Sequence, residues 1–309
     1  MNVVEMERKS LHRVLVTGAN GFVGSTIVKY LESSGYSVFP VVRLGSDISR
    51  IKSLDSKIEF CSEDLWTDLL ERIQPHTVIF ADWAGVSAHW RDDESQKLNV
   101  LRWVSLSKAC VRIGVGKLIA LGSQAELGNS QIGATEQSPF RPTTKYGLAK
   151  SEAFQEILKV TNGGPTLFTW VRLFSVYGPL DNRNWVVPSV LRAISDRKSI
   201  QLTACTQYWN FLHVKDLSRL VDMLLEMKSP PVLLHAANFQ SLTLREYLEQ
   251  LADLAGGREF LGFGILDDPI KSQIQLMPST TLASSLGWNP EIDWLTGCSE
   301  LIDSLGLAR

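Results

Sequence analysis

Two hydrophobic rhythms alternate along the chain. Arg13–Thr17 is a short apolar run that breaks at Gly18. From Phe22 the apolar positions take helical spacing, at Val23, Ile27, Tyr30 and Leu31, and the pattern stops near Gly35. Residues 36–42 read as strand again, 58–61 as a third short strand, and 65–73 as a helix ended by Pro75. Extended structure is expected over 77–80, a long helix over 96–113, and another strand over 117–121. Thr143 or Thr144 caps a helix that runs through Tyr146, Lys150 and Phe154 to Asn162-Gly163-Gly164. Residues 166–173 form the next strand and lead into Tyr177-Gly178-Pro179. Such alternation predicts an α/β protein, a parallel sheet with helices on both faces that takes ligands at the carboxyl ends of its strands. Beyond this point Pro188, Pro230, Pro231, Pro269, Pro278 and Pro290 punctuate shorter elements, and a smaller substrate-facing lobe is expected there.

Composition narrows the field. The 309 residues are 44% hydrophobic and 21% charged, the balance of a globular enzyme, and suffice for one large core with a smaller lobe. A net charge of −2 offers no basic field for nucleic acid or an anionic membrane, although a local phosphate-binding patch is compatible with it. Cys61, Cys110, Cys205 and Cys298 are scattered, with no zinc-ligand spacing, so reduced buried thiols and no metal are expected. No apolar run approaches the ~18 residues of a membrane span. Residues 1–12 carry Glu5, Glu7, Arg8 and Lys9 and read as a tail without an apolar signal core, which points to the cytoplasm.

The first strand runs into Gly18-Ala19-Asn20-Gly21-Phe22-Val23-Gly24, a G-x-x-G-x-x-G spacing. Glycines so placed allow a tight turn, close backbone approach to a pyrophosphate and close helix–strand contact, and the following helix offers its N–H groups to phosphate. Incidental glycines in an ordinary turn are the alternative, and the position at the first strand–helix unit favours a dinucleotide. The second strand ends Val41-Val42-Arg43, and the first acid afterwards is Asp47. An arginine there suits the extra phosphate of NADP, whereas NAD binders place an acid for the ribose. NADP is therefore expected over NAD, with Arg43 as an ordinary surface residue the competing reading.

Tyr146 and Lys150 are four apart on one helix face. A phenol with a pKa of roughly 10 is a poor base at neutral pH, and a nearby ammonium lowers it toward useful proton transfer. Ser123 follows the strand ending Ala120-Leu121-Gly122, where its hydroxyl would hold a carbonyl oxygen. A Tyr-x-x-x-Lys pair alone often marks a solvated helix face. Behind a glycine turn and beside a strand-end serine, it reads as a catalytic set.

In these motifs the chain resembles the extended short-chain dehydrogenase/reductase family, in particular its nucleotide-sugar branch. Residues 16–24 look like that family's cofactor turn, and Glu63-Asp64-Leu65 is similar to its adenine-contacting segment, which assigns Asp64 and Leu65 there. Asn99 matches the helix asparagine that helps order the active site, residues 122–128 the serine segment, and 145–150 the tyrosine–lysine segment. Residues 171–179 look like the passage into the substrate lobe, 210–216 its return to the sheet, and 286–290 the C-terminal signature. The resemblance implies a Rossmann-type doubly wound sheet over 13–175 plus about 211–237, with a smaller discontinuous lobe over about 176–210 plus 238–309. It also implies cofactor contacts from Ala81, Asp82, Trp83, Asn99, Phe174 and Val176, substrate contacts from Gln124 and Ser175, and a homodimer through paired helices.

The departures carry information too. Gln124 and Ala125 stand where the family's dehydratases place an Asp-Glu pair, which disfavours dehydration. Ser175 replaces a frequent substrate-contacting asparagine, and Trp209 a common arginine. Asp82 is unusual at a strand end that is normally small and neutral beside the cofactor. The Trp83 segment, with Arg91, Asp92 and Gln96 beyond it, looks more like the 4-ketoreductases of deoxysugar pathways than the 4-epimerases. Trp185 and Trp209 fit stacking on a base or sugar as well as lobe packing. Asn182, Arg183 and Asn184 fit a diphosphate contact as well as a solvated loop. Arg172 fits a buried ion pair or a ligand contact, Asp92-Asp93-Glu94 an acidic start of the long helix, and the five histidines structural roles.

The reading is NADPH-dependent reduction of the 4-keto group of a nucleotide-linked 6-deoxyhexose by Ser123, Tyr146 and Lys150. A nucleotide-sugar 4-epimerase with tightly held NAD is the second reading. A dinucleotide-sensing protein without turnover is the third.

Overall fold

Seven strands make the main sheet, and the order in which the chain visits them places the site. In the computed structural model, which describes residues 3–54, 57–62, 65–129, 131–267 and 274–307, with side chains from residue 7 onward, the chain divides into two compact units. The first comprises Met1–Glu126, Phe140–Leu173 and Ser218–Leu234; the second comprises Leu127–Pro139, Phe174–Leu217 and His235–Arg309.

The chain begins with helix α1 (Val3–Leu11), followed by β1 (Arg13–Thr17), α2 (Phe22–Ser33), β2 (Ser37–Val42) and β3 (Glu59–Phe60). Next come α3 (Trp66–Ile73), β4 (Thr77–Phe80), α4 (Gln96–Ile113), β5 (Lys117–Leu121), α5 (Lys145–Thr161) and β6 (Leu167–Leu173). Helix α6 (Val214–Glu226) and strand β7 (Leu233–Ala236) complete the set. The sheet order is β7-β6-β5-β4-β1-β2-β3, and every pair from β3 to β6 is parallel. This is the expected Rossmann-type α/β fold. The chain runs β1, β2, β3 to one side and β4 onward to the other, so the order reverses between β1 and β4. A crevice opens at that switch point beyond the strand ends.

Strands β4 and β5 are buried at every position, which is why they read as continuous apolar runs rather than alternating ones. The core beside them joins Leu69, Leu70 and Ile73 of α3 to Val100, Trp103 and Leu106 of α4 and to Phe154 and Ile157 of α5. Lys117, 7% exposed, donates through Nζ to the carbonyls of Leu224 and Leu225 at 2.7 Å and Met227 at 2.9 Å. It thereby satisfies carbonyls that the end of α6 leaves without helical partners.

Three boundaries differ from the sequence reading. Residues 1–12 were expected as a tail, yet Val3–Leu11 is a helix whose Arg8 and Lys9 pair with Glu226 and Asp222. Residues 127–139 belong to the second unit, because Leu127 and Ala134 join a small cluster with Phe174, Ala237 and Leu276. The backbone of Gln131 and Gly133 also bonds to the carbonyls of Gln275 and Met277. Residues 211–217 lie in the second unit as well. Phe211–His213 pairs with Ser175–Tyr177 in parallel, and Phe211 stacks on Trp294 at 4.9 Å.

Candidate active site

The glycine turn closes over the end of β1. Gly18 has φ +63°, and a Cβ there would stand 2.7 Å from the Ala81 carbonyl oxygen. A Cβ on Gly24 would stand 2.3 Å from the Gly18 carbonyl oxygen, so α2 approaches the turn as closely as backbone permits. Gly21 ends the turn without a side-chain cap on α2, which leaves first-turn N–H groups for an anion. Beneath lies an open cleft of about 160 Å³, lined by Thr17, Gly18, Asn20, Gly21, residues 41–43 and residues 81–84. Phe22 and Val23, in the first turn of α2, are half-buried. A dinucleotide fits this cradle: its floor is backbone where any side chain but hydrogen would collide.

At the far end of the cleft Arg43 is exposed, with no side-chain partner among the described residues. The first acid after it in the chain is already engaged. Asp47 accepts from the Ser49 N–H at 2.9 Å and from its hydroxyl at 3.0 Å, bonds that hold its carboxyl below the usual range. Asn20 donates to the Asp47 carbonyl at 3.1 Å, which ties the glycine turn to this loop. Leu65 is exposed just before α3, and Asp64 lies outside the described residues.

Asp82 now has a structural account. Its carboxylate accepts from the Thr17 hydroxyl and from Trp103 Nε1 at 3.1 Å, and pairs with Arg102 Nε at 3.3 Å. Burial pushes its carboxyl upward, against Arg102, Thr17 and Trp103, which favour the charged form. Asn99, expected at the cofactor, is 2% exposed and bonds to the wall of the cleft. Its Oδ1 accepts from the Ala84 N–H and its Nδ2 donates to the Ala84 carbonyl, both at 3.1 Å, which braces the 81–84 wall. Arg102 and Trp103 were missed. Asn99 and Trp103 are one turn apart on α4, and a charge at a buried strand end calls for a counter-charge, so the signal was present.

Ser123, Tyr146 and Lys150, expected as the catalytic set, come together in the first unit. Thr144 caps α5 by accepting from the Gly147 N–H at 3.1 Å. A Cβ on Gly147 would stand 2.4 Å from the Ala125 carbonyl oxygen, so the tyrosine helix lies directly on the serine segment. Tyr146 and Ser123 share a side-chain hydrogen bond. The Ser123 N–H donates to Glu126 at 2.6 Å, and Glu126 also accepts from Trp170 Nε1 at 3.0 Å and from Arg172 Nε at 2.9 Å. Arg172 and Glu126 are a fully buried ion pair, which decides the role of Arg172. Gln124 begins the short 3₁₀ turn Gln124–Leu127.

The proton affinities differ from the sequence reading. Lys150 was expected to make the phenol more acidic, but its Nζ donates to the Leu121 carbonyl at 2.7 Å and lies 6.0 Å from the phenol ring centre. Burial pushes Tyr146 upward, and the Ser123 bond and Arg91 only partly oppose it. Burial also lowers Lys150 to about 7, with Glu126 and Asp82 resisting that fall.

The remaining expected residues belong to the second unit. Phe174 is buried in its small cluster and meets His235 edge-on at 5.2 Å, so its ring serves the core. Ser175 and Val176 lie on the strand paired with Phe211–His213 and are half-buried. Trp185 precedes the helix Val186–Ser195, and Asn184 is exposed beside it. Trp209 is half-buried, opposite Leu242 and near Phe211 at 6.4 Å. Among the described residues, all four cysteines are free and buried, no cluster of three potential metal ligands occurs, and no helix is long and apolar enough to cross a membrane.

Comparison with known proteins agrees with this geometry. A model of the NAD dependent epimerase/dehydratase family matches residues 14–234. A dTDP-6-deoxy-L-talose 4-dehydrogenase (NAD(+)) of Aggregatibacter actinomycetemcomitans is 23% identical over 68% of this chain and 78% of its own length. A dTDP-4-dehydro-6-deoxy-D-allose reductase of a Streptomyces species is 26% identical over 90% of this chain and 91% of its own. The solved UDP-glucose 4-epimerase of Thermotoga maritima superimposes with a TM-score of 0.86 over 95% of this chain and 98% of its own at 19% identity, a likeness of fold.

Proposed function

Because the chain belongs to the NAD dependent epimerase/dehydratase family, we propose that it is an NADPH-dependent reductase of the 4-keto group of a nucleotide-linked 6-deoxyhexose. One observation carries the direction of the chemistry. Tyr146 is hydrogen-bonded to Ser123 and held protonated by burial. A phenol in that state is a proton donor, as carbonyl reduction requires. Ser123 and Tyr146 hold the carbonyl oxygen, and Tyr146 gives up its proton as charge develops there. Their effect falls on the transition state, because the oxygen is nearly neutral before transfer. Lys150, as a charged ammonium, holds the nicotinamide ribose. A reduced nicotinamide in the cleft supplies the hydride equivalent.

Gly18, Asn20, Gly21, Arg43, Ala81 and Trp83 are the groups this reading places on the cofactor. Arg43, with Asp47 committed to Ser49, favours the additional phosphate of NADP, even though the talose dehydrogenase is named for NAD(+). Both relatives cited are named for redox chemistry at C4 of a 6-deoxysugar nucleotide. Gln124, Ser175, Asn184, Trp185 and Trp209 are offered as substrate contacts. The dimer surface is assigned to α4 and α5, where Leu98, Leu101 and Leu148 are exposed.

The test is oxidation of NADPH across a panel of nucleotide 4-keto-6-deoxysugars. Turnover with at least one member and its loss in Tyr146→Phe are expected. Conversion of a nucleotide sugar by enzyme with no added cofactor would identify the epimerase instead. NADH supporting turnover as well as NADPH would remove the role given to Arg43. Biological activity intact in Tyr146→Phe would identify the sensing protein.

A further inference from the structure

Proton transfer alone does not account for the surroundings of Lys150. The side chain is 3% exposed, and its only hydrogen bond among the described residues goes to the Leu121 carbonyl. Its Nζ faces indoles instead: 3.8 Å from the ring centre of Trp83, 4.3 Å from Trp103 and 5.8 Å from Trp170. Trp83 and Trp103 meet at 4.8 Å and 90°, so they form two walls of a corner. Each indole is pinned by its N–H: Trp83 donates to Gln96 at 2.8 Å, Trp103 to the Asp82 carbonyl at 2.8 Å, and Trp170 to Glu126. With their N–H edges tied down, the rings turn their faces to the lysine.

The physical need is plain. An ammonium withdrawn from water is driven toward its neutral form, whereas an indole face attracts a cation most strongly where solvent is excluded. The other charges around the lysine come from every neighbouring element. Asp82 follows β4, Glu126 follows β5, Arg102 is on α4, and Tyr146 is on α5 itself. Arg172 of β6 is engaged with Glu126. The two carboxylates favour the cation and Arg102 opposes it. Each carboxylate already has an arginine partner, so the rings are the contacts left to serve the lysine.

We propose that Trp83 and Trp103 are positioning residues that act through Lys150: their ring faces keep its ammonium charged and fixed against the Leu121 carbonyl, beside the Tyr146 ring, in the enzyme at rest. The inference rests on the reading above only in taking Lys150 as a group that must be charged for turnover.

The test needs neither sugar nor cofactor. In the full chain labelled with ¹³C at lysine Cε, one Cε–Hε signal should lie upfield of the others, displaced by the indole ring currents. Its absence in Lys150→Arg would assign it. Titration of that signal is then compared in Trp83→Phe and Trp83→Leu. Both lose the bond to Gln96, and only the leucine lacks a ring face, so their difference isolates the face. The midpoint should be about one pH unit lower in Trp83→Leu than in Trp83→Phe. Equal midpoints, or a wild-type Lys150 signal among the ordinary lysines, would overturn the proposal. The wild-type shift decides the matter even if the leucine variant does not fold. Failure here leaves the reductase reading intact, and failure of the NADPH panel leaves these spectra standing.

Discussion

Arg172 and Glu126 have no contact with solvent, and the groups around them depend on their pairing. Glu126 fixes the Ser123 N–H and the Trp170 indole as well as the guanidinium. Removing the arginine would strand a buried carboxylate under the serine. Arg172→Leu should therefore lose about 3–5 kcal/mol of stability, read as a lower urea midpoint. Arg43 calls for a different measurement, because it is exposed and its side chain has no partner among the described residues. A guanidinium bonded to phosphate contributes about 1.5–3 kcal/mol, so Arg43→Ala should raise the KM for NADPH by roughly tenfold or more. The KM for NADH should change little, and a parallel rise in both would remove the 2′-phosphate assignment. At this scale the sequence named Ser123, Tyr146 and Lys150 from residue type and spacing. It did not reveal their proton affinities, which come from burial and from neighbours distant in the chain, such as Glu126 and Asp82.

The start of α5 illustrates how elements brace one another. Thr144 caps the helix from its own strand of chain, and a second cap arrives from the turn before α4. The Asp92 carboxylate accepts from the Lys145 N–H at 3.0 Å, and the Arg91 carbonyl accepts from the Tyr146 N–H at 2.7 Å. Glu94 pairs with Lys145 at 2.9 Å. Residues 92–94 were expected to serve the start of α4. Asp93 does so, by accepting from the Ser95 N–H at 2.8 Å, and Glu94 divides its carboxylate between Lys145 and Lys97 of the first turn of α4, the latter at 3.8 Å. Asp92→Ala should cost about 1 kcal/mol, the usual loss of a helix cap, visible in thermal melts. It should also lower kcat more than it raises KM, since the cap sets the position of Tyr146. A change in KM alone would deny that role. Local pattern placed α4, β5 and α5 correctly because period and cap residues are encoded within each segment. A cap donated across 53 residues has no such signature.

The two ends of the first unit's chain meet at a latch, and acid should open it. Helix α1 presents Arg8 and Lys9 to Glu226 and Asp222 of α6, and the Tyr36 hydroxyl lies 2.7 Å from both carboxylates, donating its one proton to either. Next to the latch His12 shares a hydrogen bond of 3.0 Å with Thr77, and its ring lies 5.1 Å from that of His76. Burial first, then His76 and Lys117, lower His12 from its ordinary 6.5 to about 4. Burial alone would raise Glu226, but the Tyr36 bond with Arg8 and Lys9 holds it below its usual value. Both shifts act in one direction. The folded state binds fewer protons than the unfolded chain, so stability is present above these unfolded pKa values and declines as pH falls. For His12 the decline spans about pH 6.5 to 4, and the carboxylate adds its share as pH falls below its ordinary 4.5. Tm measured from pH 8 to 4 should therefore fall through the histidine window. The fall should be shallower in His12→Gln, which keeps a polar group toward Thr77 and does not titrate. Identical slopes in the two proteins would mean that His12 is protonated equally in the folded and unfolded chains, and the acid sensitivity would then belong to the carboxylates and to His76 and His213, which burial also holds below their ordinary value.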